Sequence, residues 1–383
     1  MCSGTSAVAE SNVAAVTGSP VACPEAAATV ITVVGTGLIK VTVTYNSTAL
    51  YSSTYSWSAT SGGISGVSVP TNADNVFMDA NSFTGAGMIL TVDVGSFCLN
   101  MDWTGATNAP TITGISGNFL SVNGNLTVVA GVTWTLNQLY FQGAADATFA
   151  SNGVALVKVY FGKSAGSKVT LLDNLNLGAN QLNHYEGILD TNSKTVTCGI
   201  FLCNGASVKE LRLGASVINC ILSWSYIGSN LTIAANTSVI NCSGNFTSTV
   251  GIATYNIINL TGATSTITGS NTFAQLNLAS GTTQTITFTD GTVQTITTPS
   301  LSGSAGNVHT LQGSGAGGWA IVKAGGGTVD VDYISISYSN ATPGGTWHAG
   351  KNSVNGGNTT GWYFNNPKLE GALPQVLSAM GIL

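Results

Sequence analysis

The carboxylates best placed to do chemistry are Asp330 and Asp332, two residues apart in the segment Val329–Ile336. The segment alternates apolar and polar residues as a strand does, and residues i and i+2 of a strand share a face. Two carboxyls on one face can reach the separation of roughly 5–9.5 Å that glycosidases use. The same pair can equally hold a cation or solvate an outer face. We therefore keep the two residues as candidates and expect no catalytic site.

Other titratable groups do not converge in the sequence. A looser carboxylate set is Asp173, Glu186 and Asp190, of which Asp190 opens a turn-like Asp-Thr-Asn. No motif groups the three histidines, which we expect at the surface or in turns: His184, His309 and His348. The patterns GxSxG, HExxH and the P-loop are absent, and so is any CxxC pair. The sequence therefore predicts no enzyme, no metal site and no cofactor.

Two tryptophans near the end of the chain are candidates for binding a glycan. Trp347 and Trp362 flank a turn rich in Gly and Asn, where their rings could stack on a sugar. The alternative interpretation, which we favour, is that they cover the end of an apolar stack.

These residues must be positioned by a repeated strand that recurs at a fixed interval. Cys198, Cys220 and Cys242 each end a short β-forming segment, and 22 residues separate each from the next. Fixed self-similarity of this length predicts a stacked solenoid. In such coils the apolar residues two before each cysteine form inward ladders with the cysteines: Val196, Ile218 and Ile240. The residues between them form an outward polar ladder: Thr197, Asn219 and Asn241.

Composition agrees with an all-β chain. Only 7% of the 383 residues are charged, against about 25% in typical domains, and 44% are hydrophobic. That apolar content argues against disorder. The net charge is −5 without a basic run, which excludes the electrostatic footprint of nucleic-acid binding. No apolar stretch reaches 18 residues, so we expect no membrane span. The seven cysteines are expected to be reduced core residues.

The predicted architecture is a right-handed parallel β-helix of about 22 residues per coil and about eleven or twelve coils. A pair of β-sandwiches is the rival fold, but it does not explain two successive 22-residue intervals. We divide the chain into an arm (1–28), a β-hairpin element (29–56), the β-helix (57–340), and a C-terminal cap with an apolar tail (341–383). We expect the tail to serve assembly through its apolar side chains: Leu373, Val376, Leu377, Ile382 and Leu383.

Three segments carry a resemblance to a known class of proteins. They are Trp57 to Gly63 followed by Pro70 to Phe83, then Ile188 to Thr197, then Gly361 to Phe364. Together they resemble the β-helical domains of bacteriophage tail-fibre-like proteins and large bacterial surface adhesins. The resemblance covers roughly residues 55–364 and implies a β-helical fold and a structural role.

The expected function is therefore a non-enzymatic fibre or surface-filament subunit of a virion or an extracellular surface. It would form a homo-oligomer, either a trimer or a filament, and could bind a host surface glycan. Residues 1–30 hold no Lys or Arg and do not read as a secretory signal, which favours a phage product. The alternatives are a polysaccharide-degrading tailspike enzyme and a secreted bacterial adhesin.

Overall fold

The computed structural model describes the strand backbones at 29–34 and 39–44, and residues 48–248, 253–342 and 344–364. The predicted arm and the apolar tail, with Leu373, Val376, Leu377, Ile382 and Leu383, lie outside the described residues. In the described part the chain is almost wholly β-structure with one short 3-10 turn, Thr54–Ser56.

The strands, in chain order, are β1 Thr29–Val34, β2 Ile39–Thr44, β3 Thr48–Leu50, β4 Val76–Phe77, β5 Ile89–Val92, β6 Ser96–Cys98, β7 Met101–Asp102, β8 Thr111–Gly114, β9 Leu120–Val122, β10 Leu126–Thr127, β11 Thr133–Trp134, β12 Leu139–Phe141, β13 Ala147–Ala150, β14 Val159–Gly162, β15 Lys168–Leu171, β16 Leu175–Asn176, β17 Gln181–Asp190, β18 Val196–Cys203, β19 Lys209–Arg212, β20 Val217–Tyr226, β21 Leu231–Ala234, β22 Val239–Cys242, β23 Asn245–Ser248, β24 Ala253–Leu260, β25 Thr264–Thr268, β26 Asn271–Leu278, β27 Thr285–Phe288, β28 Val293–Ser300, β29 His309–Gly313, β30 Trp319–Lys323, β31 Thr328–Val331, β32 Ile334–Ile336, β33 Ser339–Asn340, β34 Thr346–Ala349, β35 Val354–Asn355 and β36 Trp362–Phe364.

The first two strands form the hairpin that the sequence predicts. β1 and β2 pair antiparallel, with Thr29 opposite Thr44 and Val34 opposite Ile39. All other strand-to-strand ladders pair parallel strands of successive coils within the described residues. The prediction of an all-β parallel solenoid is thus confirmed, with about 12 turns of about 22 residues between residues 76 and 355.

The repeated strands stack in the predicted register. Val196 lies opposite Ile218, which lies opposite Ile240, and Cys198, Cys220 and Cys242 form the parallel column beside them. All six side chains are buried, and the structure holds these three cysteines as free thiols. The inward ladders are therefore confirmed. They continue into two further coils through Ile258 and Leu276 in one column and Leu260 and Leu278 in the other.

The outward polar ladder is also confirmed, and its side chains bond to one another. The Nδ2 of Asn219 donates to Oγ1 of Thr197 at 3.4 Å, and that of Asn241 donates to Oδ1 of Asn219 at 2.8 Å. Asn259 and Asn277 add two more steps, each at 2.7 Å. Each amide donates to one coil and accepts from the next, so the ladder joins five successive coils.

Aromatic rings fill the widest part of the core. Trp224 stacks between Phe201 and Phe246, with ring centroids 4.6 and 6.1 Å away. Its Nε1 donates to the hydroxyl of Tyr255 at 3.3 Å, which satisfies a polar group deep in the stack. Large rings in register on neighbouring coils bury apolar area without opening voids, which favours a single alignment of the coils.

Parallel pairing extends beyond the predicted limits of 57 and 340. β3 pairs with β5, so the ladder begins at Thr48. At the other end β34 pairs with β31 and β36 pairs with β34, so it runs to Phe364. A terminal coil exposes unpaired backbone groups, and continuing the coil in register is the most direct way to cover them.

Candidate ligand-binding surface

Asp330 forms an ion-pair geometry with a histidine on the next coil. β31 and β34 place Asp330 opposite His348, and Oδ1 of Asp330 lies 3.1 Å from Nδ1 of His348. The ring of Tyr363 then meets the histidine edge-on, with centroids 5.7 Å apart. This group is on the outside of the last coils, where the Asp330 side chain is exposed.

Asp332 does not share that face, because β31 ends at Val331 and the chain turns through Tyr333 with φ at 55°. The Asp332 carboxylate accepts hydrogen bonds from the backbone N and the Nδ2 of Asn352, at 3.0 and 2.8 Å, and from Oγ of Ser353 at 3.3 Å. Burial alone would raise the pKa of Asp332, but these bonds hold it below its ordinary value. The expectation of two carboxylates on one strand face is wrong. Asp332 instead braces neighbouring coils.

The looser carboxylates also bond locally. Both oxygens of Asp173 accept from Ser151 on the preceding coil, from its backbone N at 2.8 Å and from its Oγ at 3.0 Å. Asp190 accepts the backbone N–H of Asn192 at 2.9 Å, as the predicted turn requires, and Asn192 has φ at 50°. These contacts assign both carboxylates to turns and coil spacing.

Trp347 and Trp362 pack inside the last coils. Trp347 is fully buried and Trp362 is 9% exposed, and their ring centroids lie 5.1 Å apart. The Nε1 of Trp362 donates to Oγ of Ser339 at 3.0 Å. This placement suits residues that cover the end of an apolar stack and leaves little ring face for a sugar.

Two of the three histidines are buried in strands, contrary to the expected surface or turn positions. His184 lies with Nε2 3.0 Å from the carbonyl oxygen of Gly187 and with Nδ1 3.9 Å from the sulfur of Cys203. Burial lowers the pKa of His184 to about 4. His309 is likewise buried, and its Nδ1 accepts the backbone N–H of Gln284 at 3.2 Å. Both histidines stack inside coils, because long strands carry them inward.

Two lysines are also buried, at a corner shared by neighbouring coils. The Nζ of Lys163 donates to the carbonyl oxygens of Asn123 and Gln142, and burial lowers the pKa of this ammonium to about 8. The Nζ of Lys209 donates to three carbonyls between 2.7 and 3.1 Å away. The lysines thus satisfy turn carbonyls inside the rod, and they are not available as a cationic surface.

A lateral groove of about 320 Å³ lies on the later coils. Its base is a column of outward residues in register on four coils: Val293, Ala320, Asn340 and Thr360. Three strand spacings separate the ends of this column, or about 14 Å. Ala320 is the smallest member, so the column is hollow at its middle.

The corner beside this column is built from residues in the left-handed backbone region. Gly318, Tyr338 and Asn358 follow one another on successive coils, with φ at 70°, 52° and 55°. Gly and Asn tolerate this conformation, whereas a bulky residue such as tyrosine is strained by it. Asp290 fixes the adjoining loop, since its carboxylate accepts the backbone N–H groups of Gly315 and Gly317, each at 2.8 Å.

A second outer feature is an aromatic ridge, formed by Phe97, Phe119, Tyr140, Tyr160 and Tyr185. Consecutive ring centroids from Phe97 to Tyr160 lie 5.6, 5.3 and 4.3 Å apart. Burial, with the neighbouring tyrosines, raises the pKa of Tyr140, so its hydroxyl stays neutral. Tyr185 ends the ridge by lying across Gly162 and accepting a bond from Gln142 at 3.3 Å.

Sequence reasoning missed both the ridge and the groove. The ridge had a readable signal, because its aromatic residues are 22, 21, 20 and 25 positions apart, close to the coil length. The groove had no such signal, since its lining depends on which turn lies above which. In the described ranges no three His, Cys, Asp or Glu side chains gather so as to hold a metal ion. No helix in those ranges is long and apolar enough to cross a membrane.

Comparison of the chain with protein-family models, with curated proteins and with solved structures finds no match. The assignment of a role therefore depends on the geometry described above.

Proposed function

We propose that this chain is a non-enzymatic structural rod, the subunit of a fibre or surface filament on a virion or an extracellular surface. The observation that carries the proposal is the unbroken coil-to-coil ladder of about 12 turns, in which every repeated column continues in register. A rod of this kind resists bending and local opening because each coil bonds to both neighbours.

The sparse surface charge and the open coil end support assembly with further copies. Only ten basic and fifteen acidic residues oppose contact between subunits. Among the described residues β36 pairs with β34 alone, so its other edge is free to pair. We propose a homo-oligomer, either a trimer or a head-to-tail filament, held in part by Leu373, Val376, Leu377, Ile382 and Leu383.

The runner-up is a polysaccharide-degrading enzyme, and the carboxylate geometry does not favour it. Asp332 is already occupied by Asn352 and Ser353, and Asp330 faces a histidine and not a second carboxylate. A reducing-end assay after incubation with capsule or lipopolysaccharide separates the two functions. Release of reducing ends that is lost in Asp330→Asn would replace the rod proposal with the enzyme.

The structural proposal is tested by negative-stain microscopy and light scattering on the full-length protein. We expect rods longer than one subunit, or a side-by-side trimer. Deleting residues 373–383 should reduce the assembly, and the double variant Leu377→Asp/Ile382→Asp should do the same while keeping the chain length. A full-length protein that remains a monomer at all concentrations would refute the proposed role, and assembly unchanged in both variants would remove the tail from it.

A further inference from the structure

The lateral groove has features of a ligand site that the rod itself does not need. Tyr338 adopts φ at 52° where the coils before and after carry Gly318 and Asn358, residues that accept this conformation more readily. Holding a bulky residue there costs about 1–3 kcal/mol, and such strain is concentrated at functional positions. A glycine or asparagine at 338 would build the same corner at lower cost.

The chemistry of the lining is neutral and of two kinds. Val293 is 38% exposed and with Ala320 and Tyr338 offers apolar surface. Asn358 and Thr360 line the same space, and their side chains have no hydrogen-bond partner within the described residues. Asn340 accepts two bonds from Thr342 through Oδ1, which leaves its Nδ2 free to donate.

No charged side chain lines the groove in the described part of the chain. The one carboxylate nearby, Asp290, is held by the backbone of its own loop. A phosphate or an acidic sugar would find no cation here, and a cationic ligand would find no free anion. A ligand with an apolar face and a rim of neutral donors and acceptors fits the lining on both counts.

We infer that this groove binds a neutral oligosaccharide. Val293, Ala320 and Tyr338 contact the C–H face of the sugar rings, and Asn340, Asn358 and Thr360 bond to the hydroxyls. The column of about 14 Å, three strand spacings, makes it a site for more than one sugar unit. The inference gives the proposed surface rod its ligand and rests on that function for its biological meaning, although binding itself needs no filament.

The test is saturation-transfer difference NMR on the full-length protein with maltohexaose, cellohexaose and chitohexaose, and with an acidic hyaluronan oligosaccharide. Two variants block the site: Tyr338→Asn, which keeps the left-handed corner, and Ala320→Phe, which fills the hollow. Tyr333→Asn is the matched control, because Tyr333 has φ at 55° and lies outside the groove. Ala274→Phe controls for a ring placed on an exposed outer position of another coil.

We expect at least one neutral oligosaccharide to bind the wild type and both controls, with at least tenfold weaker binding in Tyr338→Asn and Ala320→Phe. Tyr338→Asn should melt no lower than wild type, because it relieves the strain. Absence of binding by all three neutral sugars, binding of hyaluronan alone, or undiminished binding in both blocking variants would overturn the inference. Microscopy of the same samples reports on the filament separately, so either proposal can fail without the other.

Discussion

Asn241 donates a side-chain hydrogen bond to Asn219 at 2.8 Å, and the two residues hold the same position on successive coils. Asn241 also accepts from Asn259 at 2.7 Å, so each amide of this column is used on both sides. The column is partly buried, which strengthens bonds of this kind relative to exposed ones.

Removing one amide from the ladder should destabilise the rod. Asn241→Ala breaks two bonds, and we expect a loss of about 1–2 kcal/mol in the free energy of unfolding, measured by urea titration. Asn204→Ala is the control, because Asn204 makes no side-chain hydrogen bond in the described structure, and it should stay within about 0.5 kcal/mol of wild type. Equal effects for the two variants would contradict a load shared through the ladder.

A charge in the inward column should be far more damaging than one outside. Ile240 lies between Ile218 and Ile258 on neighbouring coils and is 2% exposed. Ile240→Asp places an unpaired carboxylate there, which should cost several kcal/mol. Thr232→Asp puts the same charge on an exposed strand position and should leave the melting temperature nearly unchanged. Unchanged melting in Ile240→Asp would show that the column is not the core.

The stacked thiols should be reduced and unreactive in the folded protein. The five described cysteines are buried, and burial raises the pKa of Cys98 and Cys203, which keeps them as thiols and not as the reactive thiolate. Iodoacetamide at pH 8 should therefore label them only after urea is added, as read by peptide mass spectrometry. A stoichiometric disulfide between Cys220 and Cys242 under non-reducing conditions would contradict the inward ladder.

The buried histidine should make stability depend on pH. The pKa of His184 is about 4 in the folded chain, against an ordinary value of 6.5. Between these values the unfolded chain binds a proton that the folded chain does not. The free energy of unfolding therefore falls as the pH falls from about 6.5 to 4, by at most about 3 kcal/mol, and this contribution is fully present above pH 6.5.

Urea midpoints at pH 7.5 and pH 5.0 measure this effect. His184→Gln cannot take up a proton, so its midpoint should shift less between the two pH values than that of wild type. His309 also has a lowered pKa through burial and adds a shift of the same sign, so some dependence should remain. An identical pH shift in wild type and His184→Gln would mean that His184 does not titrate as described.

The end of the aromatic ridge depends on a glycine. A Cβ at Gly162 would lie 1.9 Å from Cζ of Tyr185, so Gly162→Ala must displace the ring and its bond from Gln142. We expect a loss of about 1–3 kcal/mol. In the double variant Gly162→Ala/Tyr185→Ala the alanine has room, so the two effects should be less than additive in a double-mutant cycle. Full additivity would show that the two residues do not share this space.

The sequence alone determined the repeat, the alternation along each strand and the two faces of the repeated column. Val196, Ile218 and Ile240 could be assigned inward, and Thr197, Asn219 and Asn241 outward, because the strand period of two and the interval of 22 are both written in the chain. These are properties of neighbouring residues and of one fixed spacing, so they survive without knowledge of the turns.

Only the tertiary structure decided which side chains meet where the spacing changes. The amide ladder continues from Asn241 to Asn259 and Asn277 through intervals of 18 residues, which a search at 22 passes over. Asp332 left the face of Asp330 because the strand ended one residue before it, and Tyr338 came to stand between Gly318 and Asn358 because of turn lengths on three coils. Turn length sets the register between coils, and register determines which distant residues come into contact.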